Sequence, residues 1–166
     1  MKRGRSTRPQ AKKEVRSQES EEGRQTTNNK RQTTKTYICD MEKQILNTPD
    51  APAPIGPYSQ AVMVGNLLFI SGQIAINPAS GNIDAKDVTE ETHQVMHNLK
   101  AILAEAGIDF HRVVKTTIFL SDMSLFSSVN EVYGKYFKGD FPARETVAVK
   151  GLPKNVNVEI SMIAVK

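Results

Sequence analysis

The sequence is poor in the residues that tie a small protein together or carry redox and metal chemistry. Of its 166 residues one is cysteine, Cys39, and none is tryptophan. A single cysteine excludes an intrachain disulfide, a thiolate metal cage and, since it precedes the foldable part, a cysteine nucleophile inside the domain. A reducing, cytoplasmic setting fits. No apolar run approaches the ~20 residues of a membrane span, and the N-terminus lacks the apolar core of a secretion signal.

The net charge of +4 is unevenly placed. Residues 1–40 hold eleven Lys/Arg against five Asp/Glu, a net of +6, which leaves −2 for residues 41–166. The foldable part is therefore slightly acidic, and attraction to nucleic acid is confined to the tail. Residues 1–36 have almost no apolar side chain beyond Met1, Ala11 and Val15, too few to offset the ordering entropy, so residues 1–40 read as a disordered basic extension. Its acids Glu14, Glu19, Glu21 and Glu22 argue against a transit peptide. Met41 stands where the sequence expected to be ordered begins, which fits an extension added upstream of a domain spanning 41–166. That length suits one domain with its own core.

Within the domain, Glu42–Asn47 is expected to form a short strand. The run Pro52-Ala-Pro-Ile-Gly-Pro-Tyr58-Ser59 makes a stiff loop in which a tyrosine is held before any ligand arrives. Residues 61–64 and 67–74 read as a hairpin about Gly65-Asn66, with both turn residues at positive φ. Gly72 in its second strand predicts a bulge or a close approach. Asp87 with Glu90 opens a helix that Gly107 closes. His93 and His97 have a spacing that some metal sites use, but they lie opposite the apolar stripe with no third ligand, and a solvated face is the better reading. Residues 113–121 are apolar on both faces, as a central strand requires. A second helix, capped by Ser124, carries Phe126, Val129, Val132, Tyr133, Tyr136 and Phe137 to Gly139-Asp140.

The last stretch, Phe141–Val165, holds two β-like runs about Gly151-Leu-Pro-Lys-Asn155 and reads as an antiparallel hairpin. Pairing Val149 near Val156 sets Arg144 opposite Ser161 and Thr146 opposite Glu159, so that Arg144 and Glu159 share a face. An arginine fork beside a carboxylate could bind a small carboxylate and move a proton, or it could be an ordinary cross-strand ion pair. The order β, ββ, α, β, α, ββ gives a mixed sheet of about six strands with both helices on one face. The other face then meets water or builds an oligomer.

Three stretches, Ile55-Gly-Pro-Tyr-Ser-Gln-Ala61, Ile70-Ser-Gly-Gln-Ile74 and Phe141-Pro-Ala-Arg144, with Glu159 fifteen residues on, resemble the RidA (YjgF-type) family of reactive-intermediate deaminases over residues 41–166. The resemblance implies a chorismate-mutase-like α+β fold in a homotrimer with a barrel-like core and clefts between subunits. It also implies hydrolysis of 2-imino acids or their enamines, such as 2-iminobutanoate and 2-iminopropanoate, to 2-keto acids and ammonia without metal or cofactor. By position, Arg144 would grip the substrate carboxylate, and Glu159 would activate water and protonate the leaving nitrogen. Tyr58, from the neighbouring subunit, and Ser71 would line the cleft. Asn130 matches another cleft position or is a helix-surface amide, and backbone groups near Arg144 and Glu145 would bind the imine nitrogen. Many relatives have cysteine where this chain has Thr146, which removes thiol chemistry while leaving a hydroxyl. The alternatives are a small-carboxylate binder without turnover and an RNA-binding or endoribonuclease role of the kind also described for relatives.

Overall fold

The computed structural model describes residues 42–166; the basic extension, residues 1–40, and Met41 lie outside the described residues. The chain runs β1 (Lys43–Leu46), β2 (Ala61–Val64), β3 (Leu67–Gln73), α1 (Val88–Glu105), β4 (Val113–Leu120), α2 (Phe126–Gly134), β5 (Ala143–Ala148) and β6 (Val158–Val165). The six strands form one mixed sheet in the order β1-β2-β3-β6-β4-β5. Only β4 and β5 pair in parallel.

Local chemistry sets most boundaries. In the β2–β3 hairpin Val64 pairs with Leu67, and of the two turn residues only Gly65 takes a positive φ, of 59°. This corrects the expectation of two such residues: one glycine at the first turn position suffices for a II′-like turn, and Asn66 is spared the strain. Helix α1 begins where Asp87 accepts the Glu90 backbone N–H at 2.9 Å, while the Glu90 side chain reaches back to the Lys86 N–H at 2.9 Å. It ends at Gly107, φ 74°, with N–H bonds from Gly107 to Ala104 O and from Ile108 to Leu103 O at 2.8 and 3.0 Å, the paired closure of a Schellman end. The cap before α2 is Asp122, whose carboxylate takes the Ser124 N–H at 2.7 Å, rather than Ser124 itself. A 3₁₀ turn over Met123–Leu125 intervenes, and α2 stops at Gly134. Tyr136 and Phe137 still pack on the core from the turn that follows.

The expected hairpin between β5 and β6 does not form. Strand β4 lies between them, with Thr116 level with Arg144 on one side and Met162 on the other. The reason is non-local. Crossover α1 carries the chain from β3 past one open strand position to β4, and that slot takes the strand best able to be buried. In β6 the residues Val158, Ile160, Met162 and Ala164 are at most 2% exposed, whereas β5 is exposed or half-exposed throughout and takes the edge. The linker crosses the end of β4, held by N–H bonds from Val149 to Leu120 O (2.9 Å) and from Ser121 to Asn157 O (3.0 Å).

Alternation then decides which side chains meet. One sheet face, with Leu68, Ile70, Ile118, Leu120, Val158 and Ile160, packs on Val95, Met96, Leu99 and Val129 of the two helices. Arg144 and Thr146, level with Thr116 and Ile118, project on this helix side; Glu159, level with Phe119, projects on the other. The expected shared face is thus overturned. The uncovered face carries Ile45, Leu67, Phe69 and Val147, each 39–47% exposed.

Candidate functional site

Two clefts gather the residues singled out in the sequence. The larger, about 490 Å³, lies between the Pro52–Tyr58 loop and the bulged end of β3, with Tyr58, Ser71, Gly72 and Glu159 among its lining. The bulge is real: Ile70 pairs with Met162 but Gln73 pairs with Ile160, so Ser71 and Gly72 together oppose Ser161. That extra residue brings Gly72 under the Glu159 side chain, where a Cβ would stand 2.8 Å from Cδ and 3.0 Å from Cγ. Glu159 is half-buried, and this desolvation pushes its carboxyl above the ordinary glutamate range. Among the described residues nothing hydrogen-bonds to its carboxylate. Such a group holds a proton more readily than an ordinary surface glutamate and so suits proton transfer.

The loop opposite is pinned rather than merely stiff. Gln60, 3% exposed, accepts the Thr48 N–H at 2.7 Å and donates to the carbonyls of Thr48, Ala51 and Pro52 at 3.0, 3.1 and 2.9 Å. Ser71 Oγ donates to Ser59 O at 2.7 Å, which ties the loop to the bulge and leaves the Ser71 oxygen free to accept. Tyr58 Oη accepts the Ile55 N–H at 3.2 Å, and its ring is 46% exposed over the cleft mouth. Gln60 was missed as a functional residue in the sequence reading. Its signal is an amide placed just before a strand in a proline-rich run whose backbone groups need partners.

The second cleft, about 400 Å³, is lined by Asn130, Tyr133, Gly134, Phe141, Pro142 and Arg144. Helix α2 puts Asn130 where its Oδ1 accepts from Arg144 Nη1 at 2.9 Å, so Asn130 is a cleft residue and not a free helix-surface amide. The guanidinium carbon stands 5.0 Å from the Tyr133 ring centroid and 5.8 Å from that of Phe126. Tyr133 is fixed beneath it by its hydroxyl donating to Thr116 Oγ1 at 3.2 Å, and burial raises that phenol above its usual range. The ion pairs among the described residues are Lys115–Glu145 and Lys135–Glu131. Arg144 enters neither, so an oriented, partly desolvated cation is left without an anion.

Thr146 follows Arg144 on the same strand face, its hydroxyl out of solvent with no hydrogen-bond partner among the described residues. Glu145 projects on the opposite face, where Lys115 and Thr117 bond its two oxygens. These bonds hold its carboxyl below the usual range, so only its backbone adjoins the Arg144 cleft. The structure therefore brings Tyr58, Ser71 and Glu159 together, and separately Arg144 and Asn130, with Thr146 on the same strand face as Arg144 but outside the lining of that cleft. It does not bring the two groups together within one chain. His93 lies apart from both clefts with Nδ1 2.9 Å from Tyr136 Oη, and His97 stacks edge-on to the same tyrosine. Among the described residues no three His, Cys, Asp or Glu side chains gather into a metal-binding group, and no helix is long and apolar enough to cross a membrane.

Comparison with known proteins matches residues 48–166 to the family model described as Endoribonuclease L-PSP. The chain is 49% identical over 126 residues to a RutC family protein of Pyrococcus abyssi, covering 76% of this chain and 99% of that one. It is 48% identical over 129 residues to the mouse 2-iminobutanoate/2-iminopropanoate deaminase, covering 78% and 96%. Among solved structures, the Rid family protein YyfA of Yersinia pestis superposes with a TM-score of 0.73 at 46% identity, covering 75% of this chain and all of that one.

Proposed function

Because this chain belongs to the RidA (YjgF-type) family, we propose that it hydrolyses 2-imino acids, such as 2-iminobutanoate and 2-iminopropanoate, to 2-keto acids and ammonia. The observation that carries the reading is the guanidinium of Arg144, laid over Tyr133, braced by Asn130 and in no ion pair among the described residues. A planar fork held in this way matches a substrate carboxylate with two parallel hydrogen bonds. The 48% identity to the mouse deaminase supports the same chemistry.

The proposed site is completed between copies. Arg144 and Glu159 project from opposite sheet faces, so one copy supplies Arg144, Asn130 and Thr146 and a neighbour supplies Tyr58, Ser71 and Glu159. The uncovered face is the contact surface. Apolar side chains are favoured out of water, and four stand partly exposed on that face, which supports the reading of a homotrimer over a lone chain.

In the mechanism Arg144 anchors the carboxylate and places C2 of the imine over Glu159. Glu159, its proton affinity raised by burial, takes a proton from water as the water oxygen bonds to C2 and the C=N π pair moves to nitrogen, and passes that proton to the nitrogen to give a neutral carbinolamine. Glu159 then takes the hydroxyl proton as the carbonyl forms and delivers it to nitrogen as the C–N bond breaks, so that ammonia leaves and the carboxylate is restored. Imines hydrolyse unaided, so positioning and one proton shuttle suffice, each tenfold in rate being worth about 1.4 kcal/mol. The family description as an endoribonuclease finds no histidine in the lining of either cleft.

The test is a coupled assay in which threonine dehydratase generates 2-iminobutanoate and semicarbazide competes for it. Wild type is expected to lower semicarbazone formation and speed 2-ketobutyrate release, and Arg144→Ala to do neither. No effect of wild type on several amino-acid-derived imines would reduce the clefts to binding sites.

A further inference from the structure

We infer that Glu91 of α1 is a positioning residue for Glu159, acting through Asn157. Glu91 is 6% exposed, and among the described residues no cation pairs with it. Both of its oxygens are spent on one residue: Oε2 accepts the Asn157 backbone N–H and Oε1 accepts Asn157 Nδ2, each at 2.7 Å. Asn157 is gripped from the other side by the end of β4, its carbonyl taking the Ser121 N–H and its Oδ1 the Ser121 hydroxyl, both at 3.0 Å.

This arrangement needs an acceptor-only group at position 91. Ser121 fixes the Asn157 amide with its oxygen outward, so two N–H donors point at α1. A glutamine there could satisfy one and would set its own NH₂ against the other. Two donors from one residue met by the two oxygens of one buried side chain fix Asn157 in a single orientation. What the clamp holds is the entry to β6. Val158 and Glu159 follow Asn157 directly, and strand alternation sends the first into the core and the second over Gly72.

Glu159 has no hydrogen bond of its own among the described residues. Its placement depends on where the strand begins and on the space Gly72 leaves. A small shift of Asn157 therefore moves the proton-transfer group while the anion-binding cleft, on β5 and α2, stays in place. The sequence hid this because the partners stand 66 residues apart.

The kinetic part of the test rests on the proposed deaminase activity, and a second readout does not. In the full-length protein Glu91→Gln is expected to lower kcat for imine hydrolysis about tenfold, or about 1.4 kcal/mol, with KM unchanged, and to shift the pH profile. The Glu159 carboxyl, followed by ¹³C NMR and assigned by its loss in Glu159→Gln, is expected to titrate nearer the ordinary range in Glu91→Gln than in wild type. A lower melting temperature with kcat, pH profile and Glu159 titration all unchanged would make Glu91 a core support only and overturn the inference. If wild type hydrolyses no imine, the deaminase reading fails and the NMR titration alone decides this one. If Glu91→Gln does not fold, Asn157→Ala removes the side-chain half of the same clamp, its bonds to Glu91 Oε1 and Ser121 Oγ, and is read in the same two ways.

Discussion

Gly72 and Glu159 compete for one space. The backbone of Gly72, displaced by the bulge in β3, forms the floor on which the Glu159 side chain lies, and a Cβ on residue 72 would stand 3.0 Å from Glu159 Cγ and closer to the carboxylate. The absence of a side chain at 72 is therefore part of the site. Nothing in the Gly72 backbone demands glycine, since its φ is not among the positive ones.

Gly72→Ala should accordingly fold with little loss of stability, because the group in its way is the far end of a flexible side chain. It should displace the Glu159 carboxylate and lower kcat for imine hydrolysis by about tenfold or more, since general acid–base catalysis depends on hydrogen-bond reach to the transferred proton. Melting temperature and kcat measured on one preparation separate the two effects. Full activity in Gly72→Ala would mean that Glu159 need not stand where it does.

Glu159→Gln tests the proton shuttle and has a stability signature of opposite sign. Turnover should fall by roughly 10²–10⁴-fold, while carboxylate binding through Arg144 persists, which separates an enzyme from a pure binder. Desolvation raises the Glu159 carboxyl in the folded state, so the folded protein binds this proton more tightly than the unfolded chain. The stability it contributes is present below the unfolded pKa and is lost as pH rises through the folded one. Glu159→Gln should thus melt higher than wild type at neutral pH, with the gap closing as pH is lowered through the glutamate range. Thermal melts at a series of pH values read this directly.

What the sequence makes legible is what is local. The ends of α1 follow from Asp87, Glu90 and Gly107, and the alternation of β6 and the bulge at Gly72 follow from residue pattern alone. The β5–β6 hairpin was suggested by an equally local signal, the turn-like Gly151–Asn155 between two apolar runs, and the fold overrode it. The slot between β3 and β4 exists only once α1 has crossed over, and filling it with β6 stabilises more than pairing two neighbours at the edge. The site divides likewise. Arg144, Tyr58 and Glu159 could be singled out from motif and loop chemistry. Gln60 is marked only by the unmet backbone groups of the proline-rich run 8–12 residues before it, and Glu91 not at all, because its partner is 66 residues away.

Arg144→Lys keeps the charge and should still impair the protein. A lysine ammonium cannot present two parallel N–H groups, loses the flat contact with Tyr133, and does not reproduce the guanidinium bond to Asn130. With a charged hydrogen bond worth roughly 1.5–3 kcal/mol, kcat/KM should fall about ten- to hundredfold, mostly through KM. Steady-state kinetics over a range of imine concentrations show the division. A change confined to kcat would argue that Arg144 acts on the reacting centre rather than as an anchor.

Phe69→Asp addresses whether two copies share the site. Phe69 is 42% exposed in the middle of the uncovered face, flanked by Val62 on β2 and Ile163 on β6, and its side chain makes no part of the helix-side core. A carboxylate there should leave each chain folded, with circular dichroism unchanged, but make burial of that face unfavourable, since an unpaired charge taken from water costs far more than one apolar contact returns. Sedimentation should then show a trimer for wild type and a monomer for Phe69→Asp, and imine hydrolysis should fall with the assembly, because Arg144 and Glu159 of one chain face opposite ways. A monomeric Phe69→Asp that keeps full activity would place the chemistry within a single copy and would require a route from Arg144 to Glu159 around the edge of the sheet.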